Sequence, residues 1–163
     1  MITIDTLLFV LIFVAALGCG LMAGLFFAFS VSVMKALARL PQAEGIAAMQ
    51  SINVAILNPV FLVVFLGTTL ACILVTIVSL VNWHTPGAIY LLVGGVFYLI
   101  GSLLVTIVFN VPMNDALAST TPSAAEGTTL WSSYLASWTA WNHVRTAASL
   151  AAAALLSIGL CWV

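Results

Sequence analysis

The stretch from Trp131 to Arg145 holds most of the side chains in this sequence that could do chemistry: Trp131, Tyr134, Trp138, Trp141, Asn142, His143 and Arg145. At about 100° per residue, Trp131, Tyr134, Trp138, Trp141, Asn142, Arg145 and Ser149 fall within roughly one third of a helix circumference. Such a face offers flat apolar walls and, toward one end, a guanidinium able to hold an oxyanion. The plainer reading of Arg145 is a snorkelling or structurally paired arginine, with Asp115 or Glu126 as its partner. A guanidinium near the middle of a membrane helix costs about 2.5–3.5 kcal/mol on insertion scales, so under either reading it faces a bundle or reaches the interface. The aromatic stripe also has a plainer reading, an interfacial belt. A belt occupies one depth, however, and this stripe runs roughly 15 Å along a helix, so part of it packs inward or lines a cavity. His143 falls on the flank. The opposite side is small (Ser133, Ser137, Ala140, Val144, Ala147, Ala151), which predicts close approach of another helix there.

Other polar residues carry less. Asn53, Asn58, Asn110 and Asn114 lie near predicted helix ends, where amides cap and close turns. Asn142 differs, because it sits mid-helix beside Arg145 and must bond another helix or a ligand. His84 and His143 suggest a bis-histidine haem, but the topology puts them toward opposite ends of a bundle, and both read as polar interface residues. Cys19, Cys72 and Cys161 lie in separate apolar runs without metal spacing and read as buried free thiols. No Ser-His-Asp arrangement, phosphate loop or carboxylate pair is present, so neither a metal nor an organic cofactor is expected.

The elements that must position these residues follow from the charge gaps. The chain has 163 residues, 64% apolar and 4% charged, far below the roughly 25% of a water-facing domain. No charge lies between Asp5 and Lys35, between Glu44 and Asp115, or after Arg145. Since a helical span needs roughly 20 apolar residues, this is an all-α, integral membrane four-helix bundle in one domain. The predicted helices cover about 5–40, 59–81, 87–110 and 128–163, the first and fourth being long. A short amphipathic segment (41–58) follows the first, and 110–127 reads as a loop. The absence of a basic patch excludes nucleic acid as a partner. Lys35 and Arg39 place the first connection in the cytoplasm, with both termini outside, in the plasma (inner) membrane. A ladder of small residues four apart, Ala16, Gly20, Gly24, Ala28, Ser32 and Ala36, predicts a close helix contact within the chain. Its second reading is a homo-oligomer seam through the Ala16-Gly20-Gly24-Ala28-Ser32 face.

Three stretches in order carry a resemblance. They are the end of the first helix through Asn58-Pro59-Val60-Phe61, then Asn110-Val111-Pro112-Met113-Asn114, then Trp131-x2-Tyr134-x3-Trp138-x2-Trp141-Asn142-His143-Val144-Arg145-Thr146. With these the chain resembles the anthrone-oxygenase-like family of small four-helix membrane proteins. The resemblance covers nearly the whole chain, and its third stretch is the specific one. It implies Asn110, Asn114, Trp138, Asn142 and Arg145 as motif positions. It also implies, from the family's fungal members, oxidation of anthrones to anthraquinones by molecular oxygen without a recognised flavin or metal. On that reading the aromatic stripe binds a flat apolar ligand, Arg145 holds its oxyanion, and His143 or Asp115 serves as base. Two other readings remain open: a non-catalytic membrane module holding a lipid, a quinone or a protein partner, and, third, a transporter, for which no broken-helix pair speaks.

Overall fold

The structure is a computed structural model that describes residues 4–123 and 127–162. Four of its helices are long and apolar enough to cross a membrane. We label the helices α1 (Ile4–Leu37), α2 (Gln42–Ala55), α3 (Pro59–Val81), α4 (Ala88–Ala118) and α5 (Gly127–Leu160). The spanning helices run up and down in turn around a ring, with α1 against α3 and α5, and α4 against α3 and α5. The ends of α1 and α4, the starts of α3 and α5, and the whole of α2 gather at one end of this bundle. Lys35, Arg39, Glu44 and Asp115 sit there, all exposed.

Local chemistry sets the helix limits. Asn58 caps α3, its Oδ1 accepting from Phe61 N at 3.0 Å, and Pro59 occupies the first turn, where no N–H is needed. At the opposite end the Asn82–Gly87 turn closes on Gly87, whose φ of 84° suits glycine. A Cβ there would also fall against Trp162. The predicted loop at 110–127 is corrected: α4 continues through Pro112 to Ala118. Proline lacks an N–H and crowds the carbonyl four residues back. Two π-helical turns, Leu99–Leu104 and Thr106–Asn110, precede it and loosen the ladder where that conflict falls. α2 is an amphipathic cap. It buries Ile46 and Met49 against Leu117 and Trp131, and Gln50 Nε2 ties it to the end of α4 through Leu117 O (2.8 Å) and Thr120 O (2.9 Å).

Both small-residue faces turn outward, contrary to the expected contact between them. Gly20, Gly24, Ala28 and Ser32 on α1 are exposed, and so are Ser133, Ser137, Ala140 and Ala147 on α5. A Cβ at Gly20 or Gly24 would meet nothing within 4 Å. The reason is polar: Asn142 and Arg145 must face inward, and that rotates α5's aromatic side into the core and its small side out. The close approaches lie elsewhere. Gly95 presses on Thr76 of α3, and Gly101 on Ala148 of α5. Cys19 and Cys72, separate in sequence, meet across α1 and α3 at 3.7 Å as buried free thiols, whereas Cys161, expected to be buried, is exposed beyond the end of α5.

Candidate functional site

The aromatic stripe of α5 faces the bundle. Trp131, Tyr134 and Trp138 are buried and stack in sequence, with ring centroids 5.7 and 6.1 Å apart, and Phe29 of α1 lies 5.9 Å from Trp138. Trp141 leaves this line and stacks instead on Phe109 of α4, 3.6 Å away. Asn114 fixes the stack from α4: its Oδ1 accepts from both Tyr134 Oη and Trp138 Nε1 at 2.8 Å. Asn110, 1% exposed, donates from Nδ2 to Trp138 O at 3.3 Å and leaves its Oδ1 without a partner.

One turn further along α5, Asn142 is fully enclosed. Its Nδ2 donates to Phe26 O and Ser30 Oγ of α1, both at 2.6 Å, and its Oδ1 accepts from Arg145 Nη2 at 2.6 Å. A backbone carbonyl can only accept, so the contact with Phe26 O fixes which way the amide points. Arg145 is 6% exposed. Its Nη1 donates to Thr106 Oγ1 at 3.2 Å, and its Cζ lies over the rings of Phe26 (4.2 Å) and Trp138 (5.1 Å). Each such cation–π contact is worth about 0.5–2 kcal/mol depending on desolvation. Nε has no partner, and among the described residues no carboxylate pairs with this guanidinium. Asp115, one partner considered above, is exposed and apart, while Glu126 lies outside the described residues.

Three π-helical turns adjoin this layer, one in α1 (Phe29–Val33) and two in α4. They carry Ser30, Ser102, Thr106 and Asn110. Turns of this kind are uncommon, and they concentrate at functional sites because the extra residue re-aims neighbouring side chains. Counted back from Leu160 at 1.5 Å per residue, Arg145 lies about 22 Å along α5, within the depth of a ~30 Å hydrocarbon core.

Arg145 and Trp138 form part of the wall of a half-open cavity of about 100 Å³. α1 contributes Leu25, Phe26 and Phe29, α2 contributes Ile52, and the turn after α2 contributes Ile56 and Leu57. The polar lining is Asn53, Thr106, Asn114 and Arg145. Leu57 (64% exposed) and Val111 (41%) stand at its rim. The cavity is small beside the roughly 300–1,000 Å³ of pockets that enclose a drug-sized ligand.

A profile described as anthrone oxygenase matches residues 56–155, which takes in α3, α4 and most of α5. This chain belongs to that family. No curated protein and no solved structure matches it. The anthrone oxygenase match leaves α1 and α2 outside, so the parts of Phe26, Ser30 and Asn53 are visible only in the folded chain.

Of the residues expected at the site, the structure brings together Trp131, Tyr134, Trp138, Asn110, Asn114, Asn142 and Arg145. It sets Trp141 on the flank. His143 and Asp115 are exposed and border no part of the cavity. Phe26, Ser30, Thr106 and Asn53 were not anticipated. Thr106 had a signal: Ser102, Thr106, Asn110 and Asn114 recur every four residues, one face of a helix that runs past Asn110. Asn53 and Phe26 had none.

Proposed function

We propose that this anthrone-oxygenase family member binds a flat, apolar, oxygen-bearing aromatic ligand edge-on in the Arg145 cavity and promotes its oxidation by molecular oxygen. The observation that carries the reading is a buried guanidinium without a carboxylate partner at the wall of an apolar cavity. Charge buried without a counter-ion is costly, and a ligand oxyanion supplies the missing partner. Asn142 and Thr106 hold the guanidinium in place, so little reorganisation is needed when charge appears on the ligand.

For an anthrone the chemistry balances simply. The methylene loses a proton and the carbonyl becomes an enolate oxygen facing Arg145. The proton passes to water from the α2 end of the bundle, where the exposed charges lie. The enolate carbon bonds to dioxygen, and the peroxide formed takes up a proton. Loss of the remaining C–H hydrogen with cleavage of the O–O bond leaves a second carbonyl and one water. Arg145 favours the enolate, and the stacked rings orient the plane.

The test is oxygen uptake with anthrone, comparing wild type, Arg145→Lys and buffer in membranes of equal protein content. Lysine keeps the charge but loses the planar fork, so the rate above buffer should fall about a hundredfold. An unchanged rate refutes the oxyanion role. One observation favours a second reading, a non-catalytic module that holds a lipid or quinone: no carboxylate or imidazole lines the cavity among the described residues. A quinone or lipid retained through purification and released by Arg145→Leu, with no anthrone-dependent uptake, supports that reading.

A further inference from the structure

We infer that the cavity has a second hydrogen-bonding pole, at Asn53 and Asn114, which reads a second acceptor oxygen on the ligand. The inference rests on the ligand reading above and adds a preference for aromatics that carry oxygen at two edges.

The orientation of Asn114 is decided by chemistry. The indole Nε1 of Trp138 can only donate, so the Asn114 atom 2.8 Å away is the carbonyl oxygen. Tyr134 Oη donates to that same oxygen. The Asn114 oxygen is thus occupied twice. Its NH2 group bonds to no protein atom among the described residues, and Asn114 lines the cavity. Asn53, reaching the same cavity from α2 beside Tyr134, has its Nδ2 buried without a well-formed hydrogen bond. Thr106, the remaining polar wall residue, is already used. Its Oγ1 accepts from Arg145 and donates to Ser102 O at 2.7 Å. Both poles therefore offer donors, and among the described residues no carboxylate or imidazole lines the cavity. Trp138 stands between: the guanidinium carbon lies 5.1 Å from its ring centroid, and the Asn114 amide meets its Nε1 edge. A ligand lying along the indole with an acceptor toward each pole satisfies groups the protein leaves unpaired. One with a single oxygen satisfies only one pole, and sites built to hydrogen-bond a ligand discriminate strongly against analogues lacking the group.

The experiment uses the full chain in nanodiscs of fixed lipid content under anaerobic conditions. Binding is read by quenching of tryptophan fluorescence. The probes are anthracene, anthrone and anthraquinone, with none, one and two oxygens on the central ring, each corrected for partition into lipid. In wild type, anthraquinone should bind about tenfold more tightly than anthrone, the value of one buried hydrogen bond. Asn53→Leu should remove most of that preference while leaving anthrone within about twofold. Asn53→Asp, which puts an acceptor where the donor was, should invert it. Equal affinity of wild type for the two ketones overturns the inference, and this arm needs no folded variant. So does a loss in Asn53→Leu that falls equally on both ligands at unchanged melting temperature. Anthrone binding that is sensitive to Arg145→Lys, with no preference between ketones, overturns the second pole alone. Failure of wild type to bind any ketone overturns the underlying ligand reading as well.

Discussion

Replacing Asn142 with leucine, a side chain of similar size, should loosen the half of the bundle nearer α2. Three bonds of 2.6 Å are lost: two to α1, at Phe26 O and Ser30 Oγ, and one from Arg145 Nη2. Side-chain bonds between membrane helices average about 0.6 kcal/mol, because the separated helices also find partners. The bond from the guanidinium is charge-assisted and worth about 1.5–3 kcal/mol. The expected loss is therefore about 3–4 kcal/mol, dominated by the arginine left under-satisfied in a dry site. Reversible unfolding in mixed micelles, followed by tryptophan fluorescence, measures it. Ser137→Leu on the exposed side of the same helix is the control and should change stability by less than about 0.5 kcal/mol. The double variant Asn142→Leu/Arg145→Leu should lose less than the sum of its singles, since removing both leaves fewer stranded groups. A cost below about 1 kcal/mol for Asn142→Leu, or strict additivity in that cycle, refutes the argument that the network holds α1 to α5.

Other expectations follow from the same geometry. Gly95→Leu, which drives a side chain into Thr76, should lower the melting temperature in detergent, whereas Gly24→Leu, which meets open space, should leave it unchanged; the opposite ranking overturns the observed rotation of α1. His143→Gln and Asp115→Asn should keep ligand binding and any anthrone-dependent oxygen uptake near wild type, because neither side chain borders the cavity; a tenfold loss in either would restore it as the base. On orientation, and in a Cys161→Ser background, cysteines at Ala43 and Thr120 should resist an impermeant thiol reagent in intact cells. One at Thr85 should react, and the reverse pattern turns the bundle over.

The four spans were legible because charge is absent over such long intervals that only a bilayer accounts for it. The inward face of α5 was legible too, since Asn142, Arg145 and Ser149 share a side that lipid would not accept. What failed was any inference that needed one helix's rotation against another. Small residues at Gly20 and Gly24 permit a close contact without requiring one, and the bonds of Asn142 turned that face outward. The course of α4 was misread because Pro112 signals a stop unless wider turns absorb it, and π-helical turns leave no mark in hydrophobic periodicity. With α4 cut at Asn110, the polar row from Ser102 to Asn114 was broken in two, and Thr106 went unseen. Asn53 lay beyond any local rule, because its place at the cavity depends on α2 folding back over α5.

The rim of the cavity has consequences for how this protein is assayed. Leu57 and Val111 stand exposed on either side of an opening in a bundle whose outer surface is apolar. On the proposed reading, a ligand that passes these apolar side chains to reach Arg145 comes from the lipid, so the concentration that sets occupancy is its mole fraction in the membrane phase. Dissociation constants expressed per volume of buffer then shift with the amount of lipid or detergent present. Adding empty micelles at constant total ligand acts as dilution and lowers occupancy without any competitor binding. Dioxygen also dissolves better in hydrocarbon than in water, so in the proposed reaction both reactants would meet in the phase where each is concentrated.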